Sequence, residues 1–174
     1  MTNSTHAGPA APPVKSRVPE TVPSTADRAA LVAVWALPLL AVALKVAVPG
    51  WVLLFLVVGS PIVLALLVSG LVTFTSTFRR RSRVRATHGQ VPTLYRALAW
   101  VWGSAWVLAA FVVADAGDIG PMRSPLTVVA GLGEPDWYPT FQGLVLSLCI
   151  TVVISAPLVT WIARARASAV ARPA

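Results

Sequence analysis

Cysteine occurs once, at Cys149, and histidine twice, at His6 and His88. A single thiol closes no intrachain disulfide and forms no thiol-exchange pair, which excludes a transmembrane thiol oxidoreductase. The histidines fall in a proline-rich N-terminal stretch and an arginine-rich connection, outside every long apolar run. That excludes haem ligation within a membrane and argues against a histidine-based zinc site. No metal and no cofactor are expected. Charge is scarce as well, at 11% of residues against 56% hydrophobic. Residues 97–114 and 140–162 contain no charge at all, and a proton- or cation-coupled carrier normally needs an acid embedded in the membrane. Gly103-Ser104 resembles a serine nucleophile only superficially, because no histidine lies in the apolar runs to act as its base. The expectation is a protein that is not an enzyme.

What remains is apolar length. Mean hydropathy is +0.75, and four runs, 29–48, 51–74, 97–114 and 140–162, are each near the twenty residues that span a hydrocarbon core of about 30 Å at ~1.5 Å per residue. The sequence therefore predicts an all-α fold, a four-helix transmembrane bundle of two hairpins. Its membrane domain covers 25–163, between an N-terminal tail at 1–24 and a short tail at 164–174. The N-terminal tail carries Pro9, Pro12, Pro13, Pro19 and Pro23 among small polar residues and is expected to be disordered. Ser24 followed by Asp27 has the spacing of a helix start. The first run is too long for the apolar region of a signal peptide, and Pro49-Gly50 leads directly into the second, so it is read as a retained helix.

Twelve arginines and two lysines against six acids give the formal charge of +8. Four crossings place Lys15, Arg17, Arg28, Arg79, Arg80, Arg81, Arg83, Arg85, Arg96, Arg164, Arg166 and Arg172 at one end of the bundle, leaving Lys45 and Arg123 at the other. By the positive-inside rule the arginine-rich end, with both termini, is cytoplasmic. The arginine bias, with abundant Ala, Val and Pro, fits a GC-rich bacterial coding sequence, so the expected location is a bacterial plasma membrane. Because the basic residues flank apolar runs rather than a soluble amphipathic face, no nucleic acid partner is expected. Arg79, Arg80, Arg81, Arg83 and Arg85 are instead candidates to contact anionic lipid headgroups, at about 1 kcal/mol per basic residue. Trp51, Trp137 and Tyr138 at the outer boundary, and Tyr95 and Trp161 at the inner one, form the expected aromatic belts. Lys45, three residues before the end of its run, is read as a further anchor whose stem snorkels to the outer headgroups. Asp115, Asp118, Glu134 and Asp136 share the outer loop without the spacing of a calcium loop and read as solvated. Between them, 126–132 is too short to cross and is placed along the interface.

Two helices carry small or weakly polar residues at intervals of four: Ala65, Ser69, Thr73 and Thr77, then Gly143, Ser147, Thr151 and Ser155. Such stripes lie on one helix face and permit close approach in lipid, so they are expected to face protein. Hydroxyls lining a solute path are the alternative. Pro38, Pro61 and Pro157 each remove a helical hydrogen bond, freeing the carbonyls of Val34, Val57 and Val153. Trp102 and Trp106 share a face near mid-membrane and read first as packing, second as an aromatic wall for an apolar ligand. Arg28 and Trp35 bracket an Ala/Val/Leu run, as do Arg96 and Trp102, and Leu71-Val72-Thr73-Phe74 matches Leu158-Val159-Thr160-Trp161. This suggests a parallel internal repeat. The functional expectation is a non-enzymatic accessory or scaffold subunit beside another membrane protein or a second copy, with a small-solute transporter or channel component as the alternative.

Overall fold

A computed structural model describes residues 23–47, 60–79, 82, 84, 88, 90–114, 124–131 and 135–170. Trp51, Arg80, Arg81, Arg83, Arg85, Asp115, Asp118 and Glu134, and the tail before Pro23, lie outside the described residues. The helices are α1 (Thr25–Ala47), α2 (Ser60–Phe78), α3 (Thr93–Val112), α4 (Pro125–Ala130) and α5 (Tyr138–Val170). No strand occurs among the described residues. Four of the helices, all but α4, are long and apolar enough to cross a membrane.

Each boundary has a local cause. Ser24 Oγ accepts the Asp27 amide at 3.2 Å and its carbonyl accepts the Arg28 amide at 3.1 Å, so Ser24 caps α1. Pro38 and Pro157 sit inside α1 and α5. Pro61 is the second described residue of α2, and Val57, four residues earlier, lies outside the described residues. α5, at 33 residues, is about 50 Å long by rise per residue, well beyond a ~30 Å hydrocarbon core. Its last turns therefore extend past the apolar segment and carry Arg164 and Arg166.

α3 is the organising helix. Its most extensive packing is against α1 and the next against α5, while α2 touches α5 and α1 more than it touches α3. Close approach of α1 and α3 depends on side chains that are nearly absent. Ala30 and Ala99 are fully buried, and a methyl built on Gly103 would stand 2.8 Å from Leu37 Cδ1 and 3.4 Å from the Ala33 carbonyl oxygen. Ala99 and Gly103 are a small-xxx-small pair, the spacing that lets backbones meet in lipid. α2 meets α3 differently: a methyl on Gly70 would overlap the Trp102 indole. Trp102 fills that notch, with Phe74 on one side at a ring-centre distance of 5.6 Å and Trp106 on the other at 6.2 Å.

Two apolar clusters result. The larger gathers Ala30, Val34, Phe74, Tyr95, Ala99, Trp102 and Ala156 with Phe78 at the end of α2 and Val84 and Val91 from the connection between α2 and α3. The smaller holds Ala105, Cys149 and Val153, and Trp106 packs against both. The positions matched by the internal repeat differ in environment. Trp35 is half exposed where its counterpart Trp102 is fully buried, and Phe74 is fully buried where Trp161 is exposed.

Candidate functional site

The densest polar arrangement among the described residues surrounds the C-terminal end of α3. A helix ends with unpaired carbonyls that must find donors if water is excluded. Side chains from two other helices supply two such donors and accept one amide just beyond them. Tyr138 Oη, at the start of α5, donates to the Val112 carbonyl at 2.6 Å. Lys45 Nζ, from the last turn of α1, donates to the Val113 carbonyl at 2.5 Å. Gln142 Oε1 accepts the Ala114 amide at 3.0 Å. A cation against a helix C-terminus is also favoured by the helix dipole.

The tyrosine continues the network. Its one proton is committed to Val112, so in the 2.5 Å contact with Ser124 the serine hydroxyl is the donor. Ser124 Oγ in turn accepts the Thr127 amide at 3.0 Å, while Thr127 Oγ1 accepts the Ser124 amide at 2.9 Å, a capping box that starts α4. Lys45, only 4% exposed, thus turns its head into protein. The lysine whose position in the sequence reads as a headgroup anchor has a protein carbonyl as an acceptor. Tyr138 is likewise buried, whereas its neighbour Trp137 is exposed.

The opposite end is tied by arginines. Asp27, buried in the first turn of α1, faces Arg96 of α3 with Nε and Oδ1 3.8 Å apart. Arg164 of α5 donates to Ser76 Oγ at 2.5 Å and to the Thr73 carbonyl at 3.4 Å, joining α5 to the last turns of α2. Tyr95 is buried in the larger cluster, Trp161 is exposed on α5, and Arg79 is exposed just after α2.

The small-residue stripes lie mostly outside the contacts of this chain. Ala65 and Ser69 are exposed, and only Thr73 and Thr77 turn inward. Gly143, Ser147 and Thr151 are exposed, a methyl on Gly143 would meet nothing within 4 Å, and Ser155 is half-buried. Their hydroxyls are used locally: Ser69 donates to the Leu66 carbonyl at 2.9 Å, Thr77 to Thr73 at 2.8 Å, Ser147 to Gly143 at 2.8 Å and Thr151 to Ser147 at 2.8 Å. This is the back-bonding that hydroxyls adopt within helices.

Trp102 shows no exposed ring face, so no side of it is open to an apolar ligand. The indole nitrogens of Trp102 and Trp106 have no hydrogen-bond partner, a desolvation cost of about 1–3 kcal/mol for each buried donor.

Ser124, Gln142 and Gly70 are not among the residues singled out from the sequence. A polar residue one turn inside an apolar run, as Gln142 is, was the available signal, because in lipid such a group needs a partner. No group of three or more metal-ligating side chains is present among the described residues. Comparison with protein-family models, with curated proteins and with solved structures finds no match to this chain.

Proposed function

We propose that this chain is a non-enzymatic accessory or scaffold subunit of a bacterial plasma membrane, working beside another membrane protein or a second copy of itself. In this reading its helices form two hairpins, α1 with α2 and α3 with α5, docked through α1 and α3 into a bundle. Its arginine-rich end and both termini are cytoplasmic, following the distribution of basic residues. The arginines beyond α2 meet anionic headgroups there. The bundle does not depend on an internal repeat.

One observation carries the reading. Several polar groups placed within or beside the spanning helices join helix to helix or bond back to their own helix: Lys45 to Val113, Gln142 to Ala114, Arg164 to Ser76, and Ser147 and Thr151 to carbonyls one turn earlier. A solute pathway needs polar groups left facing a common lumen. Here they hold the protein together, while Gly143, Ser147 and Thr151 remain uncovered on the outside of α5. Small residues facing outward in lipid support close packing by another helix.

Photo-crosslinking from position 147 in native membranes, followed by affinity purification, tests this. The expected product is a stoichiometric adduct with one protein partner or with a second copy. Lipid adducts alone, together with solute flux through vesicles containing only this chain, would overturn the proposal in favour of a transporter.

A further inference from the structure

We infer that the outward face of α4, carrying Val128 and Val129, is a lipid-docking surface that sits in the headgroup–acyl boundary of the leaflet opposite the arginine-rich end. The inference rests on the reading of the chain as membrane-spanning and adds to it a second mode of membrane contact.

Three observations lead there. The first is an inverted polarity. α4 reads Pro-Leu-Thr-Val-Val-Ala and has no charge. A short surface helix facing water turns polar groups outward and apolar groups inward. The one polar residue of α4, Thr127, and its cap Ser124 are buried against the protein beside Pro125, while Val128 and Val129 are 52% and 77% exposed. Thr127 and Ser124 satisfy each other through the capping box, so neither is turned inward for want of an outside partner.

The second is depth. Ser124 Oγ bonds Tyr138 Oη, which bonds the carbonyl of Val112, the last residue of a spanning helix. Two hydrogen bonds end to end therefore separate the start of α4 from the end of α3. From that point α4 is only 6 residues long, about 9 Å. A helix that short cannot carry the chain far from that level, whichever way it runs. The network holds α4 at the level where a spanning segment stops.

The third is continuity. At the same level Trp137 is 54% exposed and its ring centre lies 5.7 Å from that of Phe141, itself partly exposed. Below them the exposed side chains of α5, Leu144 and Leu148, face outward along the span. Val128, Val129, Trp137 and Phe141 therefore extend the lipid-facing apolar surface up to the boundary, where aromatic side chains concentrate. Leu144 and Leu148 are bulky and lie one position round α5 from the small Gly143–Ser147–Thr151 stripe, so continuity with their face argues for lipid as the occupant of α4's outer side.

Collision measurements on spin labels test the assignment. Val129→Cys, Val128→Cys, Leu148→Cys and Arg166→Cys are made singly in the full chain with Cys149→Ala, labelled, and reconstituted into phosphatidylcholine–phosphatidylglycerol vesicles. Oxygen reports lipid and a neutral nickel chelate reports water. At 128 and 129 the ratio of oxygen to nickel collisions is expected to fall between the high value at 148 and the low value at 166, with oxygen dominant. Nickel collisions at 129 equal to those at 166 would place α4 in water, and exclusion of both reagents would place it under protein. Either overturns the inference. If the label at 148 also meets nickel rather than oxygen, it is the membrane-spanning reading that fails, and the two failures are thereby separated.

Discussion

Gly70→Ala is a perturbation of one methyl group whose outcome is set by its neighbour. Two effects oppose each other. Replacing a glycine inside a helix by alanine favours the helix by about 0.8–1.0 kcal/mol. Forcing a methyl into a filled core costs about 1–3 kcal/mol. The second wins only where the neighbour cannot withdraw, and Trp102 cannot. It is fully buried, with Phe74 and Trp106 packed on either side at 5.6 and 6.2 Å. The atoms that would collide are ring carbons of the indole, not the free end of a flexible chain. A net loss of about 0.5–2 kcal/mol is therefore expected. It is measured as a lowered unfolding midpoint in SDS titrations of the detergent-solubilised protein. The decisive comparison is a double-mutant cycle with Trp102→Leu. With the indole gone, Gly70→Ala should become neutral or stabilising, a coupling of about 1–3 kcal/mol. Gly103→Ala is the milder contrast: its methyl would stand 2.8 Å from Leu37 Cδ1, which can rotate away, and 3.2 Å from Leu37 Cβ, which gives only by a small shift of α1. If Gly70→Ala leaves stability unchanged with Trp102 in place, or costs as much in the Trp102→Leu background, α2 and α3 do not meet through this notch.

Other expectations follow from the two ends of the molecule. Tyr138→Phe strips the donor from the Val112 carbonyl and from Ser124 its acceptor, lowering stability by about 1–3 kcal/mol; an unchanged thermal midpoint would show that the network is not formed. Lys45→Met should cost about 1.5–3 kcal/mol, the worth of a hydrogen bond to a charged group, whereas a headgroup anchor would tolerate the change, and detergent melting curves separate the two. Ser147→Leu should leave the stability of the isolated chain unaltered, because the side chain is exposed, while reducing recovery of the partner from native membranes; loss of stability with unchanged recovery would reverse that assignment. Single cysteines at 83 and 166 should resist an impermeant reagent added to intact cells and one at 117 should react, since basic residues are retained inside; labelling at 83 from outside refutes the orientation.

Helix number was legible in the sequence because a run such as 140–162, with no charge and twenty-odd apolar residues, has few other stable outcomes. Helix start was legible at Ser24, where a short side chain and an acid in the first turn have a local mechanism. Helix facing was not. In water a helix shows its inner face through amphipathic period, but in lipid both faces are apolar and only size and polarity mark a contact. Size alone singled out Gly143, Ser147 and Thr151, which turn out on the exposed side, and equally could have singled out Ala99 and Gly103, which meet α1. The site at the end of α3 was partly legible. Lys45 stood out as a charge near the boundary and Tyr138 as a boundary aromatic, yet whether either turns to lipid or to protein depends on a carbonyl 68 residues from the lysine and 26 from the tyrosine. No local pattern encodes such a separation.

That separation also sets an order of events during synthesis. A lysine near the end of the first span leaves the ribosome 68 residues before Val113, an interval of about 3–14 s at ~5–20 residues per second. Tyr138 and Gln142 follow later still. Until then the contacts from Lys45 to Val113 and from Tyr138 to Val112 cannot all form. The end of α3 thus closes as a clasp once the final helix has been threaded, and a chain halted before Tyr138 would present that open clasp to the quality-control machinery of its membrane.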